Sequence, residues 1–242
     1  MNVLITNDDG LFCEGIDALI AFASSLGELT IVAPMREQSG KSHAIDIKEP
    51  FAVQKTALKS GMEAYAVDST PADCVRFAVV ALGKKFDLVL SGINSGYNLG
   101  KDILYSGTVG AAFEAAAFGI KAAAVSTFPG GIGAAAKALP KIRALFEERD
   151  LFSLADIYNI NIPENDKGIV FTRQGGPYYR DKFIDLKDGR YVQQGYCVHT
   201  GTGDLTLDTD ATVEGYISIS PLTTERTDIK AFEKLKNKCK AT

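Results

Sequence analysis

Residues 2–10 read NVLITNDDG. The apolar run Val3-Leu4-Ile5 breaks at Thr6 and Asn7, and two adjacent aspartates and a glycine follow. A short, unalternating apolar run predicts a strand buried on both faces, which is the habit of a parallel sheet covered by helices. The next segments agree. Residues 15–26, GIDALIAFASSL, place apolar side chains at helical spacing, and Gly27 is positioned to end that helix. LTIVAP at 29–34 is a second apolar strand, closed by Pro34. Strand, helix, strand with short links predicts parallel pairing through a right-handed crossover.

The alternation recurs along the chain. DCVRFAVVAL (73–82) reads as helix and FDLVLSG (86–92) as strand then turn. GAAFEAAAFG (110–119) reads as helix and KAAAVST (121–127) as strand. AAAKALPKIRALFEE (134–148) is a helix that Pro140 should kink, and ADIYNINIP (155–163) is a further strand. The expected fold class is α/β, a doubly wound, mostly parallel sheet in which ligands bind beyond the carboxyl ends of the strands. The C-terminal third changes character. YVQQGYCVHT (191–200) and EGYISISPL (214–222) suggest antiparallel strands, and TTERTDIKAFEKLKNK (223–238) closes the chain as a helix with Thr-x-x-Glu or Thr-Asp start signals. One domain over 1–242 is expected: a core over about 1–176, a protruding arm over about 178–212, and a C-terminal strand and helix over about 213–240. A strand-rich arm of this kind is expected to pack on another subunit.

Composition narrows the classes of function. The 242 residues carry 46% hydrophobic and 23% charged residues and a net charge of −4, which argues against a nucleic-acid polymer as partner. No apolar run approaches the roughly 18 residues that span a bilayer, and no signal-peptide pattern opens the chain, so a cytoplasmic protein without membrane contact is expected. Cys13, Cys74, Cys197 and Cys239 form no CxxC pair and read as free thiols. With only His43 and His199 as histidines, a zinc site of His and Cys clusters is not expected.

Asp8 and Asp9 then stand where the first strand meets the ligand crevice. Adjacent carboxylates repel unless a cation lies between them or one is protonated. Two more loops leave strand ends: REQSGKSH (36–43), offering Ser39, and SGINSGYNLG (91–100), offering Asn94. Asp8, Asp9, Ser39 and Asn94 make an all-oxygen set, suited to a hard divalent ion such as Mg²⁺, Mn²⁺ or Ca²⁺. Gly10 lets the backbone turn tightly beside them. YSGTVGAAFEAAA (105–117) adds a helix start in which Ser106 is a plausible N-cap, with neither Ser106 nor Thr108 followed by a capping-box Glu or Gln. Free N–H groups at a helix N-terminus form a ready phosphate site. A dication facing such a terminus suits phosphoryl transfer to water.

Taken together, NVLITNDDG, REQSGKS, STPADCV (69–75), SGINSGYNLG, YSGTVGAAFEA, NINIPENDKGIVFTRQG (159–175) and GYISISPL (215–222) resemble the SurE family, the survival-protein 5′-nucleotidases. The resemblance implies a Rossmann-like core, a C-terminal hairpin arm exchanged between subunits in homodimers or homotetramers, and a terminal helix. It implies metal-dependent hydrolysis of nucleoside 5′-monophosphates, with 3′-monophosphates and short polyphosphate as further substrates, using one Mg²⁺ or Mn²⁺ per subunit. By resemblance the metal ligands are Asp8, Asp9, Ser39 and Asn94, and the phosphate-binding turn is Ser106, Gly107 and Thr108. Asp8, Asp9 and Asn94 thereby become the expected catalytic residues. Two segments depart from the family pattern: Ser69 stands where glycine is usual, and KSHAIDI places His43 near Ser39.

In this reading a metal-activated water attacks the phosphoryl group in line. Asn7 orients the Asp8–Asp9 turn and adjoins the substrate, Lys101 and Arg173 favour an anion, and His43 is a candidate helper. NDDG lacks the D-x-D spacing of phosphatases that form an aspartyl-phosphate. The alternative from another class is a non-catalytic receiver or nucleotide-sensing module, in which an acidic pair also binds Mg²⁺.

Overall fold

The computed structural model describes residues 1–239; the side chain of Cys239 and residues 240–242 lie outside the described part. The chain opens with β1 (Asn2–Thr6), α1 (Glu14–Ala23) and β2 (Glu28–Pro34). It continues through β3 (Val53–Ala57), β4 (Glu63–Val67), α2 (Pro71–Arg76), β5 (Leu88–Ser95), α3 (Gly107–Ala117), β6 (Lys121–Thr127), α4 (Ile132–Glu148) and β7 (Ile157–Ile162). The last third holds β8 (Ile169–Phe171), β9 (Tyr179–Asp185), β10 (Tyr191–Cys197), α5 (Asp208–Val213), β11 (Ile217–Leu222) and α6 (Ile229–Cys239).

A nine-stranded sheet runs in the order β3-β4-β2-β1-β5-β6-β7-β11-β8, and β9 and β10 form a separate two-stranded sheet. Strands β4, β2, β1, β5, β6 and β7 are mutually parallel. The antiparallel β3 borders β4, and β11 runs antiparallel to β7 and parallel to β8. The chain leaves β1 for β2 and β4 on one side, then returns to β5 on the other. Strands β1 and β5 therefore flank the topological switch point, where an open α/β sheet presents its ligand crevice.

Two apolar clusters explain the stability of this arrangement. Val3, Ile5, Leu90 and Val125 pack under α1 and α4 with Ile16, Leu19 and Leu139. On the opposite face Leu4, Val89, Ala122 and Ala124 pack under α2 and α3 with Cys74, Val75, Val109 and Ala112. Successive strand residues thus point into different clusters, which is why both faces read as apolar in the sequence.

The structure refines several expectations. Strands β3 and β4 carry no long apolar run, because β3 is an edge with Gln54, Lys55 and Ala57 exposed. The helix read at 73–82 begins at Pro71, under a Thr70 cap, and passes into a π-helical turn over Phe77–Ala81. Strand β5 runs on to Ser95 through a register shift between Ser91 and Asn94, so Asn94 lies on a strand end instead of in a loop. Helix α3 starts at Gly107, earlier than its apolar pattern suggests. Helix α4 continues through Pro140, which leaves the Ala136 carbonyl without its usual helical donor.

The hairpin occupies Tyr179–Cys197, less than the 178–212 stretch read as an arm. The following residues return to the core. Buried Asp208 accepts the N–H groups of Gly100, Gly175 and Thr209, which ties α5 to the body. Helix α6 starts later than Thr223, with the Asp228 carboxylate capping the Ala231 N–H at 2.9 Å. No described helix is long and apolar enough to cross a membrane.

Candidate active site

Asp8 follows directly from β1 and is 4% exposed. Its Oδ1 accepts the Thr108 hydroxyl at 2.5 Å, which joins the first strand to the first turn of α3. Gly107 makes this approach possible: a Cβ there would lie 2.9 Å from the Asp8 Cβ and 3.0 Å from its Oδ2. Asp9 is half-buried, and its Oδ2 accepts the Ser95 N–H at 3.1 Å from the end of β5. Thr108 thus fixes one carboxylate and the Ser95 N–H the other, leaving further lone pairs for an outside partner.

The loop after β2 docks on the same turn. The Gln38 N–H donates to the Asp8 carbonyl at 2.7 Å and the Leu11 N–H to the Pro34 carbonyl at 2.8 Å. Ser39 sits one residue on, its hydroxyl donating to Glu37 Oε1 at 2.6 Å. That bond directs the serine proton to Glu37 and leaves the oxygen lone pairs available. Asn94 donates through Nδ2 to the Gly96 carbonyl at 2.7 Å, so its Oδ1 is the end free to ligate. The ends of β1 and β5 and the loop after β2 therefore converge, bringing Asp8, Asp9, Ser39 and Asn94 into one neighbourhood.

Electrostatics distinguish this acidic pair from a surface one. Burial, reinforced by the Asp9 charge, pushes the Asp8 carboxyl up to about 6, against the lowering pull of the Thr108 hydrogen bonds. Burial and the nearby Glu37 charge also raise Asp9, opposed by the Ser95 N–H. No ammonium or guanidinium among the described residues offsets either carboxylate. Two desolvated acids without a counter-charge, beside neutral oxygen donors from Ser and Asn, fit a hard dication such as Mg²⁺, Mn²⁺ or Ca²⁺.

The start of α3 is more self-satisfied than its sequence implies. Ser106 is the N-cap, its Oγ accepting the Val109 N–H at 3.1 Å. The Thr108 hydroxyl is committed to Asp8. What remains toward the crevice is the Gly107 amide and the partial positive charge of the helix terminus.

Four side chains singled out in the sequence have partners of their own within the protein. Asn7 is fully buried, and its amide closes the turn by bonding both backbone groups of Gly10 and the Cys13 sulfur, so it shapes the turn that carries Asp8 and Asp9. His43 pairs with Glu114 at 2.6 Å and packs on Phe113, away from the acidic pair. The exposed Arg173 side chain pairs with Asp204 at 3.2 Å, and its backbone forms an isolated parallel bridge with Leu207. Ser69 donates to buried Asp73 at 2.6 Å, giving that departure from the family pattern a structural role. The sequence reading also passed over Glu37 and Glu114. A lone glutamate in the small, apolar run GAAFEAAA is a legible signal of a buried, paired acid.

The chain is similar to known proteins along nearly its whole length. The family described as survival protein SurE matches residues 3–181. The 5′-nucleotidase SurE of Carboxydothermus hydrogenoformans is 42% identical over 262 aligned positions, covering 100% of this chain and 97% of the relative. The protein of the same name from Thermosipho melanesiensis is 37% identical, with 98% and 97% covered. The crystal structure of the SurE protein from Aquifex aeolicus superposes with a TM-score of 0.78 at 35% identity, covering 98% of this chain and 99% of that one. Sharing sequence along nearly its whole length with such proteins, and the fold of a solved one, the chain belongs to the SurE family.

Proposed function

We propose that this protein is a divalent-metal-dependent phosphomonoesterase that hydrolyses nucleoside 5′-monophosphates. The family supplies the nucleotide phosphatase class, and its curated relatives carry the name 5′-nucleotidase. The observation that carries the metal dependence is the uncompensated Asp8–Asp9 pair at the β1/β5 switch point, facing the N-terminus of α3.

Asp8 and Asp9 hold the cation through their free carboxylate oxygens and provide its compensating charge. Ser39 and Asn94 add neutral oxygens. Bound there, Mg²⁺ or Mn²⁺ supplies charge opposite the phosphoryl oxygens and lowers the pKa of an attacking water. The first turn of α3, with Ser106, Gly107 and Thr108, presents its positive end to the phosphate, and the bare Gly107 backbone admits it closely. Asn7 keeps the acidic turn rigid beneath these groups. 3′-Monophosphates and short polyphosphate present the same phosphoryl chemistry and are included in the reading.

Exposed apolar side chains support assembly into a homodimer or homotetramer. The hairpin shows Phe183, Tyr191 and Tyr196, and α6 shows Ile229, Phe232 and Leu235 at intervals of about one helical turn. Free thiols at Cys13, Cys74 and Cys197 suit a reducing compartment such as the cytoplasm.

Phosphate release from AMP and GMP, measured with Mg²⁺, Mn²⁺ or Ca²⁺ and again with EDTA, tests the reading. Release that depends on a divalent ion is expected. No release with any of the three would overturn it in favour of a nucleotide-sensing module.

A further inference from the structure

The segment from Glu37 to Pro50 carries Ser39 yet contains no helix or strand. Bonds to the turn before α3 and to the start of α2 fix its shape. The Ser42 N–H donates to the Tyr105 carbonyl at 2.9 Å, and the Ser42 hydroxyl donates to the Leu104 carbonyl at 2.6 Å. Farther along, the Thr70 hydroxyl donates to the Ala44 carbonyl, and buried Asp73 accepts the Asp46 N–H. Between these anchors His43 reaches inward, its Nε2 2.6 Å from Glu114 Oε2.

Glu114 lies on the buried face of α3, 5% exposed, and its second oxygen takes the Arg76 guanidinium of α2 at 2.8 Å. Three elements meet at this one carboxylate. Gly110 lets the segment lie directly on the helix, since a Cβ there would be 2.3 Å from the Ser42 carbonyl oxygen. Gly110 itself stands about one helical turn from Gly107, and His43 is four residues from Ser39 in the chain. Between His43 and Ser39 lies Gly40, at φ +72° and in open space, and the ligand-bearing end is held by the Gln38–Asp8 backbone bond and by the turn in which the Lys41 N–H donates to the Gln38 carbonyl at 3.3 Å.

We propose that His43 is a positioning residue for the metal-binding segment: by clasping the buried Glu114 it fixes Ser39 beside the Asp8–Asp9 pair. A clasped segment has already lost the conformational freedom that a loose one must give up when the cation binds, so the clasp raises metal affinity. The inference rests on the dication reading above.

Mn²⁺ titrated calorimetrically into the full chain without substrate tests it. Three variants are compared with the native protein: H43A, H43Q, whose amide still reaches Glu114, and H43N, whose shorter side chain does not. Arg76 keeps Glu114 paired in all of them, so no buried charge is left bare. H43A and H43N should weaken Mn²⁺ binding by about 10-fold, the low end for loss of an outer-shell partner. H43Q should stay close to native, and kcat on AMP at saturating Mn²⁺ should be unchanged in all three. Native affinity in H43A and H43N, whatever their melting temperatures, would overturn the proposal, as would H43Q binding as weakly as H43N. If H43A fails to fold, H43N carries the test. A native chain that binds no Mn²⁺ would refute the dication reading itself, a different result from variants that bind like native.

Discussion

Replacing Asp8 with asparagine should stabilise the metal-free protein and abolish its turnover. Asp8 is held at about 6, above the ordinary carboxylate value of 3.8, chiefly by burial and next by the Asp9 charge. The folded state therefore keeps the proton that the unfolded chain releases between these two values. Ionising Asp8 in the folded chain then opposes folding, with no penalty below about pH 4 and the full penalty above about pH 6. A shift of roughly two units corresponds to about 3 kcal/mol. The side-chain amide in Asp8→Asn is neutral at every pH and still accepts the Thr108 hydroxyl, so the variant escapes that penalty. For a chain of this length each kcal/mol moves Tm by about 2–4 °C, so the variant should melt roughly 6–12 °C higher in EDTA at pH 7.5. At pH 4 the two proteins should coincide. Saturating Mn²⁺ should reverse the order, because a ligand that binds only the native site stabilises by mass action. Calorimetric melts at both pH values, with EDTA and with Mn²⁺, make the comparison. A variant less stable than native in EDTA at pH 7.5 would refute the account of the acidic pair as a desolvated, uncompensated site.

Gly107→Ala puts a methyl group 3.0 Å from the Asp8 carboxylate and 3.1 Å from Pro71 Cγ. It should destabilise the fold by about 1–3 kcal/mol and lower Mn²⁺ affinity, read by denaturant titration and calorimetry. A gain in stability would show that the approach is looser than described. Replacing residues 180–196 of the hairpin by a two-glycine link should reduce the assembly state in sedimentation velocity, because it removes exposed Phe183, Tyr191 and Tyr196. Sedimentation unchanged from native would place the subunit contact elsewhere.

Much of the fold was legible because its cause is local. Val3-Leu4-Ile5, LTIVAP and FDLVLSG announce strands covered on both sides; the helical segments at 15–26 and 134–148 cover one face, and those at 73–82 and 110–119 cover the other. Edge strand β3 escaped notice because an exposed edge carries polar side chains and has no apolar signature, and its interior neighbour β4, EAYAV, offers only a short run of mostly small side chains. The return of the chain to the core at α5 is not legible in the sequence, because nothing local marks Asp208 as the acceptor of three backbone N–H groups, two of them from Gly100 and Gly175.

The sequence alone offered the candidate donors: two adjacent carboxylates after a strand, a serine and an asparagine near the ends of two other strands, and a glycine-rich helix start. Residue types and strand order travel with the chain, so they can be read before folding. Only the tertiary structure decided what each side chain is free to do. Asn7 and the Thr108 hydroxyl are engaged within the protein, His43 turns to Glu114, and Arg173 turns to Asp204. The reason is physical: a polar group's availability depends on which partners lie within about 3 Å, and those partners come from segments as distant in sequence as Asp8 and Thr108.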